Sequence, residues 1–284
     1  MIKPLDQVPL EILYDAFVDA FSNYEAKIDL SPGQFQDMLE TRSFAAEYSR
    51  GDFDGQDLTG FLLVGFREER GERLFYDTAT GVRKAYQGRG IAGELVKSVI
   101  QEMAERNIHR FILEVLEHNT AARELYTKNG FRISRKLSCF RYTPEGPVPE
   151  DQHIVFVLNG EVFEKPGDLC GFRPSWQNSN ASYLNSQKQN RKLDIQIQDR
   201  FAGYLILDIH TGNILQLGLK EEYRRAETVD GILKKIRQDY KPAGIKILNV
   251  ESESGMDLLF KAAGMENFLN QYEMEYTRQP DGRI

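Results

Sequence analysis

At 284 residues the chain is long enough for about two domains, and 41% hydrophobic with 28% charged residues is the composition of a globular protein. A net charge of −7 argues against nucleic acid as the main partner, and no apolar run approaches the ~20 residues a membrane span needs. Cys139 and Cys170 make no disulfide framework and suit reduced thiols in a cytoplasmic protein, and the His residues show no metal-ligand spacing.

The N-terminal sequence MIKPLDQVPLEILYDAF lacks the apolar core and small-residue cleavage site of a secretory leader. Leu10, Leu13, Phe17 and Phe21 mark a first amphipathic helix. Ser31 and Pro32 read as an N-cap and a first-turn proline, opening a second helix through Phe35 and Met38. Strands are expected over 61–66 and 73–82, with a turn between them. A helix over 90–106, ending near Asn107, follows. Residues 111–116 form a strand, 120–129 a helix closed by Gly130, and 133–142 a last strand. Helices first, then strands around a central helix, predict an α/β layer structure with a mixed, mainly antiparallel sheet.

Residues 81–95, GVRKAYQGRGIAGEL, lie between the second of these strands and the 90–106 helix. Gly88 and Gly90 keep side chains out of the way there, so the backbone N–H groups at the helix start can meet an anion. The spacing excludes a Walker loop, which needs G-x-x-x-x-G-K-[ST]. Gly88, Gly90 and Gly93 do fall at the G-x-G-x-x-G spacing, a signal too weak to stand alone. The segment also contains Q-x-x-G-x-A, as Gln87, Gly90 and Ala92. A second motif, ILEVLEHNTAARELYTKNGF, occupies residues 112–131. In this order the two motifs resemble the acyl-CoA loop and the second signature of the GNAT acetyltransferase superfamily.

That resemblance implies an N-acetyltransferase that uses acetyl-CoA, without a metal, to modify an amine. It implies that the backbone of Val82, Arg83 and Lys84 pairs with the pantetheine arm. The pyrophosphate then rests on Gln87, Gly88, Arg89, Gly90, Ile91 and Ala92. Asn119 bonds the cofactor arm or N-caps the 120–129 helix, two roles that are compatible, Ala122 leaves room for the arm, and Tyr126 gives a proton to the departing thiolate. Lys84 stands where the family often has Pro. The general base is open. The family's usual position holds Tyr76, Asp77 is turned to the other face unless a bulge intervenes, Glu114 is another candidate, and a water chain would also serve.

The second half repeats the first. GVRKAY (81–86) aligns with GLKEEY (218–223), ILEV (112–115) with ILNV (247–250), and LYTKNGF (125–131) with LFKAAGM (259–265). The expected organisation is a catalytic domain over 1–143, a Pro-rich linker over 144–152 and a degenerate GNAT-like domain over 153–284. In the second domain Glu227 replaces Gly90 and Phe260 replaces Tyr126, so both the anion cradle and the proton donor are gone. The stretch FRPSWQNSNASY (172–183) either lines a cleft or starts a capped helix. A non-catalytic acyl-CoA sensor or assembly protein is the alternative function, and a homo-oligomer stays open.

Overall fold

The structure, a computed structural model, describes residues 1–22, 30–69, 71–143 and 153–278. The expected linker, 144–152, lies outside the described residues. The chain forms two compact units, one of Met1–Ser134 with Glu273–Ile284 and one of Arg135–Tyr272. This division differs from the bounds expected from sequence, because both cuts fall inside strands. Most of the first repeat's last strand, β6 (Arg132–Tyr142), belongs to the second unit. The end of the second repeat's last strand, β12 (Glu266–Thr277), belongs to the first.

The first unit contains β1 (Ile2–Pro4), α1 (Leu10–Phe21), α2 (Pro32–Thr41), β2 (Arg50–Asp54), β3 (Asp57–Glu69), β4 (Glu72–Val82), α3 (Ile91–Glu105), β5 (Arg110–Leu116) and α4 (Thr120–Lys128). The strands run β1-β2-β3-β4-β5 with the end of β12 beside β5. The pairs from β1 to β4 are antiparallel, and β4–β5 is parallel. Ser31 caps α2 through a reciprocal capping box with Gln34, as its position before Pro32 predicts. Helices α1 and α2 bury Leu13, Phe17, Phe35 and Leu39 against Phe61 and Leu63 of β3. Helix α3 buries Leu95, Val96, Val99 and Met103 on the sheet's other face. The end of β12 is fastened by a two-pronged ion pair, Arg110 to Glu275 at 2.6 Å on both prongs, and by Tyr276 packing on Phe131 at 5.7 Å between ring centres.

The second unit repeats this plan. It holds β7 (Ile154–Leu158), α5 (Gly167–Cys170), α6 (Asn180–Asn185), β8 (Asn190–Ile197), β9 (Arg200–Asp208), β10 (Asn213–Leu219), α7 (Ala226–Tyr240), β11 (Ile245–Glu251) and α8 (Gly255–Ala262). Its strand order is β6-β11-β10-β9-β8-β7, and β10–β11 is again a parallel pair. The core gathers Ile214, Leu217, Ile232, Leu233 and Phe260 among others.

Candidate functional site

In the first unit the parallel pair β4–β5 is short. It joins Leu74 to Arg110, Phe75 to Phe111 and Tyr76 to Ile112, while β4 runs on to Val82 and β5 to Leu116. Beyond Tyr76 the strands diverge and leave a wedge-shaped opening. A bulge in β4 starts the divergence: Leu63 faces Ala79 but Val64 faces Asp77, so Thr78 is the extra residue. Arg42 steadies the bulge by donating to the Thr78 carbonyl at 2.8 Å. The bulge also sets the faces. Tyr76 and Ala79 turn to α1 and α2, whereas Asp77 and Thr80 turn to α3 and α4.

The mouth of the opening is the loop before α3, where residues 87–90 are exposed. Gly88 and Gly90 have φ of +77° and +80°, which L side chains adopt only with strain. A Cβ at either glycine would touch nothing within 4 Å, so the space in front of the loop is open. Gly90 is the N-cap of α3 and supplies no side-chain cap, so the first-turn N–H groups keep their capacity for an anion. Arg89 turns back to the Ala85 carbonyl at 3.0 Å and over the Tyr86 ring. The Gln87 side chain donates to the Val82 carbonyl at 3.1 Å. The amide of Arg83 bonds Thr59 in β3 at 2.8 Å, and the amide of Lys84 bonds the Asp19 carboxylate at 3.0 Å. Of the three residues expected along the cofactor arm, two therefore spend their N–H groups elsewhere.

At the apex, Tyr126 on α4 donates its hydroxyl to Asp77 Oδ2 at 2.8 Å. Thr80 donates to the same oxygen at 2.6 Å. Asp77 and Tyr126 are 7% and 6% exposed, and Oδ1 of Asp77 has no hydrogen-bond partner. Burial pushes the Asp77 carboxyl up to about 6, against the opposing pull of its bonds from Thr80 and Tyr126 and of the Arg42 charge. The opposite face holds a separate cluster. The Tyr76 hydroxyl donates to Glu114, and Arg67 lies near both. Burial lowers Arg67 to about 10, which leaves it charged at neutral pH. Asn119 is the N-cap of α4 and accepts from the amide of Ala122 at 3.1 Å, so both residues sit at the start of the helix that carries Tyr126.

Sequence reading missed the union of Asp77 with Tyr126. A signal was present in the repeat, where Ile214 occupies the place of Asp77, Leu217 that of Thr80 and Phe260 that of Tyr126. The second unit keeps the bulge, between Ile214 and Gln216, and its parallel pairing likewise stops at Ile214–Ile247. Its opening is bridged by its own chain. In the turn Trp176–Asn178, Asn178 accepts from Gln216 of β10 and donates to the Leu248 carbonyl of β11, each at 2.6 Å. The stretch 172–183 is thus spent inside this unit, and Ser179 caps α6. Helix α7 starts from Arg225 with extended backbone and carries Glu227 in its first turn.

Among the described residues no group of three or more His, Cys, Asp or Glu side chains could hold a metal ion, and no helix is long and apolar enough to cross a membrane. Residues 10–131 match the family described as Acetyltransferase (GNAT) family. The histone acetyltransferase MCC1 of Arabidopsis thaliana is 32% identical over 206 residues, covering 66% of this chain and 83% of the relative. The spermine/spermidine N(1)-acetyltransferase of Bacillus subtilis (strain 168) is 32% identical over 87 residues, 28% of this chain and 57% of its own length. In fold, the chain is similar to a tandem GNAT protein from the clavulanic acid biosynthesis pathway. That match has a TM-score of 0.65 and 14% identity, and it covers 99% of both chains.

Proposed function

The chain belongs to the GNAT acetyltransferase family, whose members pass an acyl group from an acyl-CoA to an amine, and on that premise we propose that it is an acetyl-CoA-dependent N-acetyltransferase whose chemistry runs in the first unit. The observation that carries this reading is the opening between β4 and β5, with an uncapped glycine loop at its mouth and Tyr126 at its apex. The pyrophosphate rests on the N–H groups from Gly88 to Ala92 and the positive end of α3. The arm runs up the wedge past Val82 and brings the thioester to Tyr126. A neutral primary amine attacks from the α1–α2 face. Glu114, held by Tyr76, is on that face and takes the amine's surplus proton; Tyr126 supplies the proton for sulfur. The acceptor is an amine that is cationic at rest, on a small molecule or a peptide. Relatives named for histone and for spermine/spermidine acetylation support that class.

The test pairs acetyl-CoA binding by calorimetry with transfer to a panel of polyamines, aminoglycosides and peptide amines. One site per chain and turnover on at least one amine are expected. Gly90→Glu, which copies Glu227 of the second unit, should abolish binding through charge repulsion and blocked approach. Two equivalent sites, or unchanged affinity in that variant, would count against the placement. Binding without turnover on any amine would favour the sensor reading instead.

A further inference from the structure

We propose that Asp77 is a positioning residue that stores the proton Tyr126 hands to the leaving thiolate. This proposal rests on the acetyltransferase reading and extends it by one residue. Three observations lead to it. The Tyr126 hydroxyl bonds Asp77 Oδ2 directly, at 2.8 Å, in a site almost closed to water. The second oxygen of Asp77 is buried with no hydrogen-bond partner, which is an expensive arrangement for packing alone. The second unit shows the cheaper arrangement on the same scaffold. Its bulge is retained, but Ile214, Leu217 and Phe260 fill the places of Asp77, Thr80 and Tyr126, all within the apolar core. The three polar groups are absent as a set where the glycine loop is also absent. A fold that tolerates the apolar trio has no structural need for the polar one.

Tyrosine alone is a poor source for this proton. Once it has given the proton up, a buried phenolate is left facing the site. A protonated Asp77 solves that difficulty. The amine nitrogen bonds the thioester carbon, the carbon–sulfur bond breaks, and its electron pair goes to sulfur. Sulfur takes the Tyr126 proton, and the phenol oxygen takes the proton of the Asp77 carboxyl. The product state is a single carboxylate receiving hydrogen bonds from Thr80 and Tyr126, which is the arrangement of the structure. The surplus proton on the amine nitrogen leaves by way of Glu114 to water, and water returns one to Asp77. Burial raises the affinity of Asp77 for its proton, so the store is filled below about pH 6 and held by a minority of chains at neutral pH.

The test uses the full chain, acetyl-CoA, and an amine on which the wild type turns over. Asp77→Asn, Tyr126→Phe and the double variant form a cycle. The amide of Asn keeps the size and the acceptor oxygen but holds no proton to give. Each single variant should lower kcat about 10²-fold with the KM for acetyl-CoA changed less than about threefold, and the double should be no worse than either. The melting temperature of Asp77→Asn should not fall. In mixed H2O and D2O the wild-type kcat should follow a curved proton inventory, for two protons in flight, and Asp77→Asn a straight one. Unchanged kcat in Asp77→Asn, additive losses, a loss that tracks a lower melting temperature, or a straight wild-type inventory overturns the proposal. A wild type that binds acetyl-CoA but acetylates no amine sinks the functional reading together with it.

Discussion

At the scale of single residues, Asp77 sets function against stability. Its pKa is about 6 in the fold and 3.8 for the unperturbed group, so the native state holds the proton more tightly than the unfolded chain does. The sign follows. The contribution is fully present below about pH 4 and is lost as pH rises through 6. At neutral pH the buried carboxylate therefore costs stability, on the order of 2–3 kcal/mol. Asp77→Asn should be more stable than wild type by about that amount at pH 7.5, and the gap should close toward pH 4. Denaturant unfolding at the two pH values checks it, and a gap that widens in acid would contradict the burial argument. Most of the candidate site at this scale was legible. Gly88 and Gly90 are read from local spacing, because a loop between strand and helix is built from consecutive residues, whereas Gln87 and Tyr126 come from the two motifs that resemble the family's. The bond from Tyr126 to Asp77 spans 49 positions, and no local pattern reports it.

Among the elements, α3 is held from both ends of its task. Its N-terminus is left without a side-chain cap, which with Gly90 as N-cap forgoes only about a few tenths of a kcal/mol and leaves the first turn for a ligand. The helix is secured instead by packing and by Glu102, which pairs with Arg50 of β2 and with Arg106. Arg50 and Glu102 are both about nine-tenths buried. Glu102→Ala would strand the Arg50 charge in the interior and should destabilise the first unit by about 3–5 kcal/mol. Replacing both with apolar residues of like volume should restore much of that loss, and thermal unfolding of the three proteins separates the cases. The helix periods of α1 to α4 were readable within a residue or two, since an amphipathic face depends only on spacing. The bulge at Thr78 was not, because Asp77-Thr78-Ala79 carries no mark of an extra residue. Only the register against β3 shows it.

For the molecule as a whole, the decisive feature is which segment completes which unit. Glu273–Ile284 belongs to the first unit, where Glu275 grips Arg110, Tyr276 covers Phe131 and Arg278 reaches Asn107. A fragment of residues 1–143 carries every candidate site residue and lacks this strand. It should fail to fold stably and should bind no acetyl-CoA, although its loop and Tyr126 are intact. Circular dichroism and calorimetry on the fragment check this; a cooperative melt with normal affinity would show that the strand is dispensable. Ending the full chain at Tyr272 should have the same effect on the site for the same reason.

The sequence by itself determined the repeated plan, the glycine loop, the capped helix that carries Tyr126, and the loss of both loop and tyrosine in the second half. These are short-range properties, set by spacing, turn chemistry and cap residues, and they survive without knowledge of what lies across the sheet. Tertiary structure alone decided the rest. The opening between β4 and β5, the facing of Asp77 toward Tyr126, the bridging of the second unit's opening by Asn178 and the partners of β6 and β12 all follow from pairings between distant segments. Alternation along a strand tells which residues share a face. It does not tell which strand lies alongside, because the backbone hydrogen bonds that choose the neighbour are the same for every residue type.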